Sequence, residues 1–257
     1  MVLMCRIFAY CGSSVAELER LRKALSEAAE YDMIAEKLGL GFSSHADGWG
    51  YVIASEDGKL LHYRNSAPIF KDGHRIPQVD GKFFALFHAR KASEKGLVGP
   101  IFSHPLVDSS GSETLFLLHN GRVDKEAIGN ELGIDTNYLV DSEAALKFIS
   151  KKGVEKGSEA LEKYTVSGLN LMLLSFGRVT GEINMYCKNY YIRRDKSEYY
   201  DLYIADMDEG KAVFSSTLSN YGMVGRKVAY GKLFKFAQGR LSMSLQHAPP
   251  GLEKTDT

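Results

Sequence analysis

Two short, almost wholly apolar runs constrain this chain more than anything else in it: Phe83-Phe84-Ala85-Leu86-Phe87 and Thr114-Leu115-Phe116-Leu117-Leu118. Both are too short for buried helices, so they read as strands covered on both faces. Each runs directly into a polar island, His88-Ala89-Arg90-Lys91-Ala92-Ser93 after the first and His119-Asn120-Gly121 after the second. A strand end is a rigid platform on which reactive groups keep fixed positions. Further strands are expected at residues 5–10, 170–176, 182–187, 200–205, 211–214 and 232–236. Residues 49–54 and 59–64 form a hairpin pattern around Ser55-Glu56-Asp57-Gly58.

Helices interrupt this series in two places. Ser14-Val15-Ala16-Glu17 reads as a capping box, the hydroxyl and the carboxylate each satisfying an orphan amide. Leu18, Leu21, Leu25, Ala28 and Ala29 then share one helical face, and Gly39 is the expected stop. Helices are also expected at 142–151 and 155–164, with Ala144, Ala145, Phe148 and Ile149 as the apolar face of the first. Strands, a helical pair and more strands argue for α+β with antiparallel sheets. That pattern leaves open whether one sheet or two stacked sheets form the core. No internal repeat or linker divides the chain.

Hydrophobic residues make up 44% of 257, enough for an extensive core. Thirty-two basic side chains balance 32 acidic ones, so no global field draws the protein to nucleic acid or an anionic membrane. No apolar stretch approaches a membrane span, and the N-terminus lacks a signal-peptide core, so a cytoplasmic setting is expected. Three widely spaced cysteines make no disulfide framework. Cys11 and Cys187 read as small buried apolar groups.

Cys5 is different, because it follows a methionine in Met4-Cys5-Arg6-Ile7-Phe8. If Met1 to Met4 are absent from the mature chain, one residue carries both a thiol and a free α-amine. A thiol is nucleophilic only as thiolate, and its free pKa of roughly 8.5 leaves it protonated at neutral pH. A terminal amine, at about 7.7–8.0, is suited to removing that proton. The plain alternative is a buried cysteine heading a strand.

Five segments in order bear on that choice: Met4-Cys5-Arg6, Asp47-Gly48-Trp49-Gly50, His88-Ala89-Arg90-Lys91-Ala92-Ser93, His119-Asn120-Gly121 and Val140-Asp141-Ser142. Together they resemble the class II glutamine amidotransferase domain, within the N-terminal nucleophile hydrolase superfamily, and most of all its stand-alone members beginning Met-Cys-Arg. The resemblance implies a domain over residues 4–245, with 246–257 as a flexible tail. It implies a four-layer αββα sandwich of two stacked antiparallel sheets with helices outside each.

It also implies roles. Cys5 would attack a γ-carboxamide, releasing ammonia through a γ-glutamyl thioester, with Asn120 and Gly121 as oxyanion donors. Arg90 is suited to the substrate α-carboxylate, since its planar fork matches a carboxylate bidentately. Ser93 can add a hydroxyl there. Asp141 would hold the α-ammonium, and it could also cap the following helix. Trp49 is either a pocket wall or a core aromatic, and the role of Arg6 does not follow from chemistry alone. His88 and His119 read as packed, hydrogen-bonded histidines rather than bases. No metal or other cofactor is expected, because His45, Asp47, His88 and His104 lack ligand spacing.

The partner is therefore a small molecule, glutamine or a γ-glutamyl compound, with a separate synthase subunit as a candidate ammonia acceptor. Two other readings stand beside glutamine hydrolysis: cleavage of another γ-glutamyl amide or peptide, and a non-catalytic glutamine-binding regulatory module if Cys5 stays blocked. Met1-Val2-Leu3 raises the last of these, because an acylated nitrogen is no base. Initiation at Met4, removal of a short propeptide and a pocket kept without catalysis all account for it. Initiation at Met4 is preferred, since Met-Cys is readily trimmed. Mass spectrometry of active native protein is expected to find Cys5 as the first residue; full activity with Met1 or Val2 still attached would overturn the mechanism.

Overall fold

In a computed structural model of the chain, residues 5–93, 96–237 and 240–243 are described. Met1 to Met4 and the tail expected at 246–257 lie outside them. In chain order the first elements are β1 (Arg6–Gly12), α1 (Val15–Glu30), α2 (Met33–Lys37), β2 (Trp49–Ser55), β3 (Leu60–Asn65) and β4 (Phe83–Ala89). Then come β5 (Leu106–Ser110), β6 (Glu113–Val123), α3 (Lys125–Leu132), α4 (Asp141–Lys152) and α5 (Val154–Ala160). The last are β7 (Thr165–Gly177), β8 (Ile183–Lys188), α6 (Ser197–Tyr200), β9 (Leu202–Asp206), β10 (Gly210–Ser215), β11 (Arg226–Lys227), β12 (Leu233–Ala237) and β13 (Arg240–Met243).

The apolar runs are strands buried on both faces because each face serves a different core. On β4, Phe83, Ala85 and Phe87 pack with Leu18, Leu21 and Leu25 of α1, while Phe84 and Leu86 point the other way. On β6, Leu115 and Leu117 meet Ala144, Phe148 and Ile149 of α4, while Phe116 and Leu118 join Phe84 and Leu86. The sheets therefore stack through one shared core, and helices cover both outer faces. This is the expected αββα sandwich.

The first sheet runs β11-β9-β10-β1-β4-β2-β3, and the second β13-β12-β8-β7-β6-β5. Neighbouring strands pair antiparallel throughout the described residues. β1 is central in its sheet, with Arg6 opposite Ala89 of β4. Ile7 and Ala9 face the inter-sheet core and Phe8 and Tyr10 face α1, so alternation turns Cys5 toward the gap between sheets. The same alternation on β6 turns Asn120, two residues beyond Leu118, into that gap.

Several local expectations need correction. The long first helix is two helices, because Asp32 starts a new one by accepting the amides of Ile34 and Ala35. Gly39 follows the second helix, not the first. Only half of the capping box forms: Ser14 Oγ accepts from Glu17 N–H, but the Glu17 carboxylate takes the Tyr10 hydroxyl at 2.8 Å and the Glu209 amide at 3.1 Å. β6 does not stop at Leu118 but continues through Asn120 and Gly121 to Val123. Asp141 is the first residue of α4 rather than its cap; Val140 precedes it and donates its amide to Glu143 at 2.9 Å. Trp49 is a core aromatic, fully buried among Tyr51, Tyr63 and Phe87 with its indole N–H on Asp72 at 2.8 Å.

Phe148 lies wholly inside the core between α4 and the second sheet. Phe148→Ala is expected to cost about 3–5 kcal/mol of stability, the usual range for a large buried aromatic. Urea denaturation followed by circular dichroism measures this, with the midpoint lowered and the slope unchanged.

Candidate active site

At the end of the sandwich where β1 begins, the Cys5 main-chain nitrogen donates to Asn120 Oδ1 at 2.8 Å. A nitrogen that donates must meet the oxygen of the carboxamide, so this contact sets which way the amide faces. Asn120 Nδ2 is thereby left buried and without a hydrogen-bond partner. Buried donors are rarely left unmade, because each costs about 1–3 kcal/mol. An unpaired donor next to a cavity-lining thiol is available to an oxygen that a ligand brings.

The sulfur sits against the loop after β4. Lys91 N–H donates to Cys5 Sγ at 3.4 Å, and the thiol faces the Lys91 carbonyl at 3.7 Å. Burial pushes the Cys5 thiol up to about 11; the Lys91 amide and Arg90 pull the other way, and Asp141 and Asp47 add to the rise. At pH 7 only roughly one thiol in ten thousand would then ionise unaided. This cysteine needs a base beside it.

The loop that carries Arg90 is held by a short ladder. Asp47 N–H donates to Arg90 O at 3.0 Å, Arg90 N–H to Gly48 O at 2.8 Å, and Ala92 N–H to Asp47 Oδ2 at 2.9 Å. Gly48 has φ +117, and a side chain there would strike Ser103 Oγ and Asn65 O at 2.5 and 2.7 Å. Gly121 is equally constrained: φ is +154, and an added Cβ would lie 1.8 Å from the Gly168 carbonyl. Both are places where only glycine lets two backbones approach.

Cys5, Arg90, Ser93, Gly121 and Asp141 line one cavity of about 340 Å³. With Asn120 bonded to Cys5, the structure brings together all six residues singled out in the sequence. Arg90 is buried and gives one guanidinium N–H to Leu97 O at 2.7 Å. Asp141 accepts the Val123 amide at 3.1 Å through one oxygen, while its other oxygen has only Ser142 Oγ at 3.5 Å. A cation and an anion thus face one cavity, the complement of an amino-acid head group. Among the described residues no cluster of three or more His, Cys, Asp or Glu side chains is arranged to hold a metal ion.

The histidines divide. His119 is hydrogen-bonded as expected, its Nδ1 to Ser142 Oγ at 2.9 Å. His88 is packed: it stacks on His104 with ring centroids 4.2 Å apart. The His119 backbone is the hydrogen-bonding group beside it, and its ring nitrogens and those of His104 have no partner in good geometry. Burial, reinforced by Arg90, holds His88 well below the usual imidazole range; burial, His88 and Arg90 do the same for His104. Neutral rings at both positions fit that surrounding.

One group of residues escaped sequence reasoning. Arg6 is fully buried, with Nε on Asp32 Oδ2 at 2.6 Å, Nη1 on Tyr199 O at 3.1 Å and its guanidinium 3.8 Å above the Tyr199 ring. His45 Nε2 meets the same Asp32 oxygen at 2.7 Å. Burial opposes ionisation of Asp32, but Arg6 and then His45 outweigh it and keep the carboxyl well below its usual range. The signal available was an aspartate able to cap a helix; nothing in the sequence pairs it with Arg6.

No protein-family profile matches the chain, and no curated protein matches it. Its likeness is to solved structures. One, described as the allosteric regulatory enzyme of purine biosynthesis, superposes with a TM-score of 0.63 at 16% identity, over 93% of this chain and 48% of that one. The chain thus spans about half the length of that protein. A glutamine aminotransferase class-II domain protein from Silicibacter pomeroyi has a TM-score of 0.49 at 16% identity, covering 93% of this chain and 98% of that one. A predicted glutamine amidotransferase from Pseudomonas aeruginosa PA01 has a TM-score of 0.38 at 11% identity, over 94% and 95% of the two chains. The first superposition establishes a shared fold, the sandwich described above.

The buried sulfur allows a direct check. In protein that retains Met4, the rate of Cys5 alkylation by iodoacetamide is expected to rise about tenfold per pH unit up to a midpoint near 11. Peptide mass spectrometry separates Cys5 from Cys11 and Cys187; a midpoint at or below that of free cysteine would contradict the desolvated site.

Proposed function

We propose that this protein hydrolyses the side-chain amide of glutamine with Cys5 as its first residue, releasing ammonia. The hydrogen bond from Cys5 N to Asn120 Oδ1 carries the reading. A neutral amine has two N–H bonds and a lone pair. One N–H on Asn120 leaves the lone pair free for the thiol proton.

In this mechanism the amine takes the proton as sulfur attacks the amide carbon. The carbonyl oxygen becomes an oxyanion, met by Asn120 Nδ2 and the Gly121 N–H, in a pocket where such preset donors count most. The tetrahedral adduct collapses as the carbon–nitrogen bond breaks, and the ammonium returns its proton to the leaving nitrogen. A γ-glutamyl thioester remains. Water then attacks the same carbon and gives a proton to the amine. The carbon–sulfur bond breaks, glutamate leaves and the thiol is restored. Arg90 and Ser93 hold the α-carboxylate and Asp141 the α-ammonium, so the free head group is read and an internal peptide amide is not.

Ammonia passes to a separate synthase subunit or to water. Three cysteines without disulfides suit a reducing cytoplasm. No described helix is long and apolar enough to cross a membrane.

Protein beginning at Cys5 is expected to release ammonia from glutamine, and Cys5→Ala to abolish this. Asn120→Ala should lower kcat by about 10²–10³, as loss of an oxyanion donor does. A fall of less than tenfold removes Asn120 from that role. Glutamate released from γ-glutamyl compounds, with no ammonia from glutamine, would favour the γ-glutamyl hydrolase reading. Glutamine binding without turnover would favour the regulatory module.

A further inference from the structure

A nucleophile that is the first residue of its chain has no neighbour before it to hold its backbone. Asn120 holds the Cys5 nitrogen and the Lys91 amide its sulfur, and the rest of the hold on its backbone comes through the two residues that follow. Ile7 is bracketed by one hydroxyl: Ser215 Oγ accepts the Ile7 amide at 3.0 Å and donates to the Ile7 carbonyl at 3.2 Å. Arg6 pairs with Ala89 of β4 along the strand ladder, and its buried side chain ends on Asp32 and the Tyr199 carbonyl.

Asp32 is the meeting point of four separate parts of the chain. One oxygen takes Arg6 Nε from β1 and His45 Nε2 from the loop before β2. The other takes the amides of Ile34 and Ala35 at the start of α2 and the Thr217 hydroxyl at 3.0 Å. Every member of this set is buried. A buried ion pair is a poor stabiliser, because desolvation offsets its attraction and well-packed apolar residues often do as well. One next to a nucleophile invites a different account.

We infer that Asp32 is a positioning residue for the reaction proposed above: through Arg6 it fixes the strand that ends at Cys5, and its charge cancels the guanidinium's field at the nucleophile. The inference rests on the proposed mechanism only for its kinetic readout. Besides Arg6, the charged groups that act on Cys5 are Arg90, Asp141 and Asp47. Lys91, Arg122, Asp124, Lys125, Glu126 and the His119 imidazole line the same cavity. Those around Asp32 are Arg6 and His45, with the Tyr199 and Tyr221 phenols nearby. Arg6 is the cation of both sets, and Asp32 is its only carboxylate partner among the described residues.

The two halves of the role separate by substitution. Asp32→Asn leaves the guanidinium uncompensated. A net positive charge disfavours the Cys5 ammonium and favours the thiolate, so both groups should titrate at lower pH. The acid limb of kcat/KM is then expected to move down by about half to one pH unit, with kcat reduced and KM for glutamine within about twofold. Arg6→Lys keeps the charge but loses the planar fork and its stack on Tyr199. It is expected to lower kcat at least about tenfold with the acid limb unmoved.

Circular dichroism and thermal melting establish that each variant is folded. If Asp32→Asn does not fold, Arg6→Lys decides the matter alone. Wild-type kcat and an unmoved acid limb in the folded variants would overturn the inference, as would a change in KM alone. Alkylation of Cys5 by iodoacetamide against pH supplies an arm independent of turnover. In Asp32→Asn the midpoint should fall relative to the unsubstituted chain, and an unchanged midpoint counts against the charge-cancelling role. Should the unsubstituted protein alkylate normally yet release no ammonia, the proposed function fails while this arm still tests Asp32.

Discussion

One hydrogen bond across the gap between two sheets organises this molecule's chemistry. Cys5 N and Asn120 Oδ1 belong to segments 115 residues apart, one at the start of β1 and the other within β6, strands whose inward side chains fill the shared core. Because both strands are buried on both faces, neither end has freedom to drift, and the contact inherits the rigidity of the packing. It orients the carboxamide so that its buried donor end has no hydrogen-bond partner. The glycine after Asn120 extends the same logic, since only a residue without Cβ lets β6 lie so near Gly168.

Around that contact the protein places charges in compensated sets. Arg90 and Asp141 face the cavity, where a zwitterionic ligand would complete them. Arg6 and Asp32 complete each other beside Cys5, out of reach of solvent. The first pair is open to the cavity and the second is closed within the fold. The imidazoles of His88 and His104, both held neutral by burial, stack on each other, and His104 also lines the cavity.

Much of the architecture is legible in the sequence because hydrophobic burial is periodic. Runs such as 83–87 announce a strand with no solvent face, and the 18–29 pattern announces a one-sided helix. What misleads is competition among polar groups. Glu17 matches a capping box, yet Tyr10 and the Glu209 amide are nearer claims on its carboxylate. Asp32 looks like a residue inside a long helix, but the Arg6 guanidinium and two amides make it a break. Trp49 sits among residues that build the site, yet strand alternation sends its ring to the opposite face. The short β5 and α3 carry too little periodicity to stand out.

By itself the sequence determined the doubly buried strands and the one-sided helices, because apolar patterning is a property of the chain taken in order. The stacking of two sheets and the six candidate residues came from the likeness of its ordered motifs to a known family. The tertiary structure alone decided which amide end faces Cys5, that the thiol is desolvated beyond self-ionisation, and that Asp32 is the counter-charge to Arg6. Each of these depends on distances between segments remote in the chain. A hydrogen bond or a field falls off within a few ångströms, and no spacing along the sequence encodes that proximity.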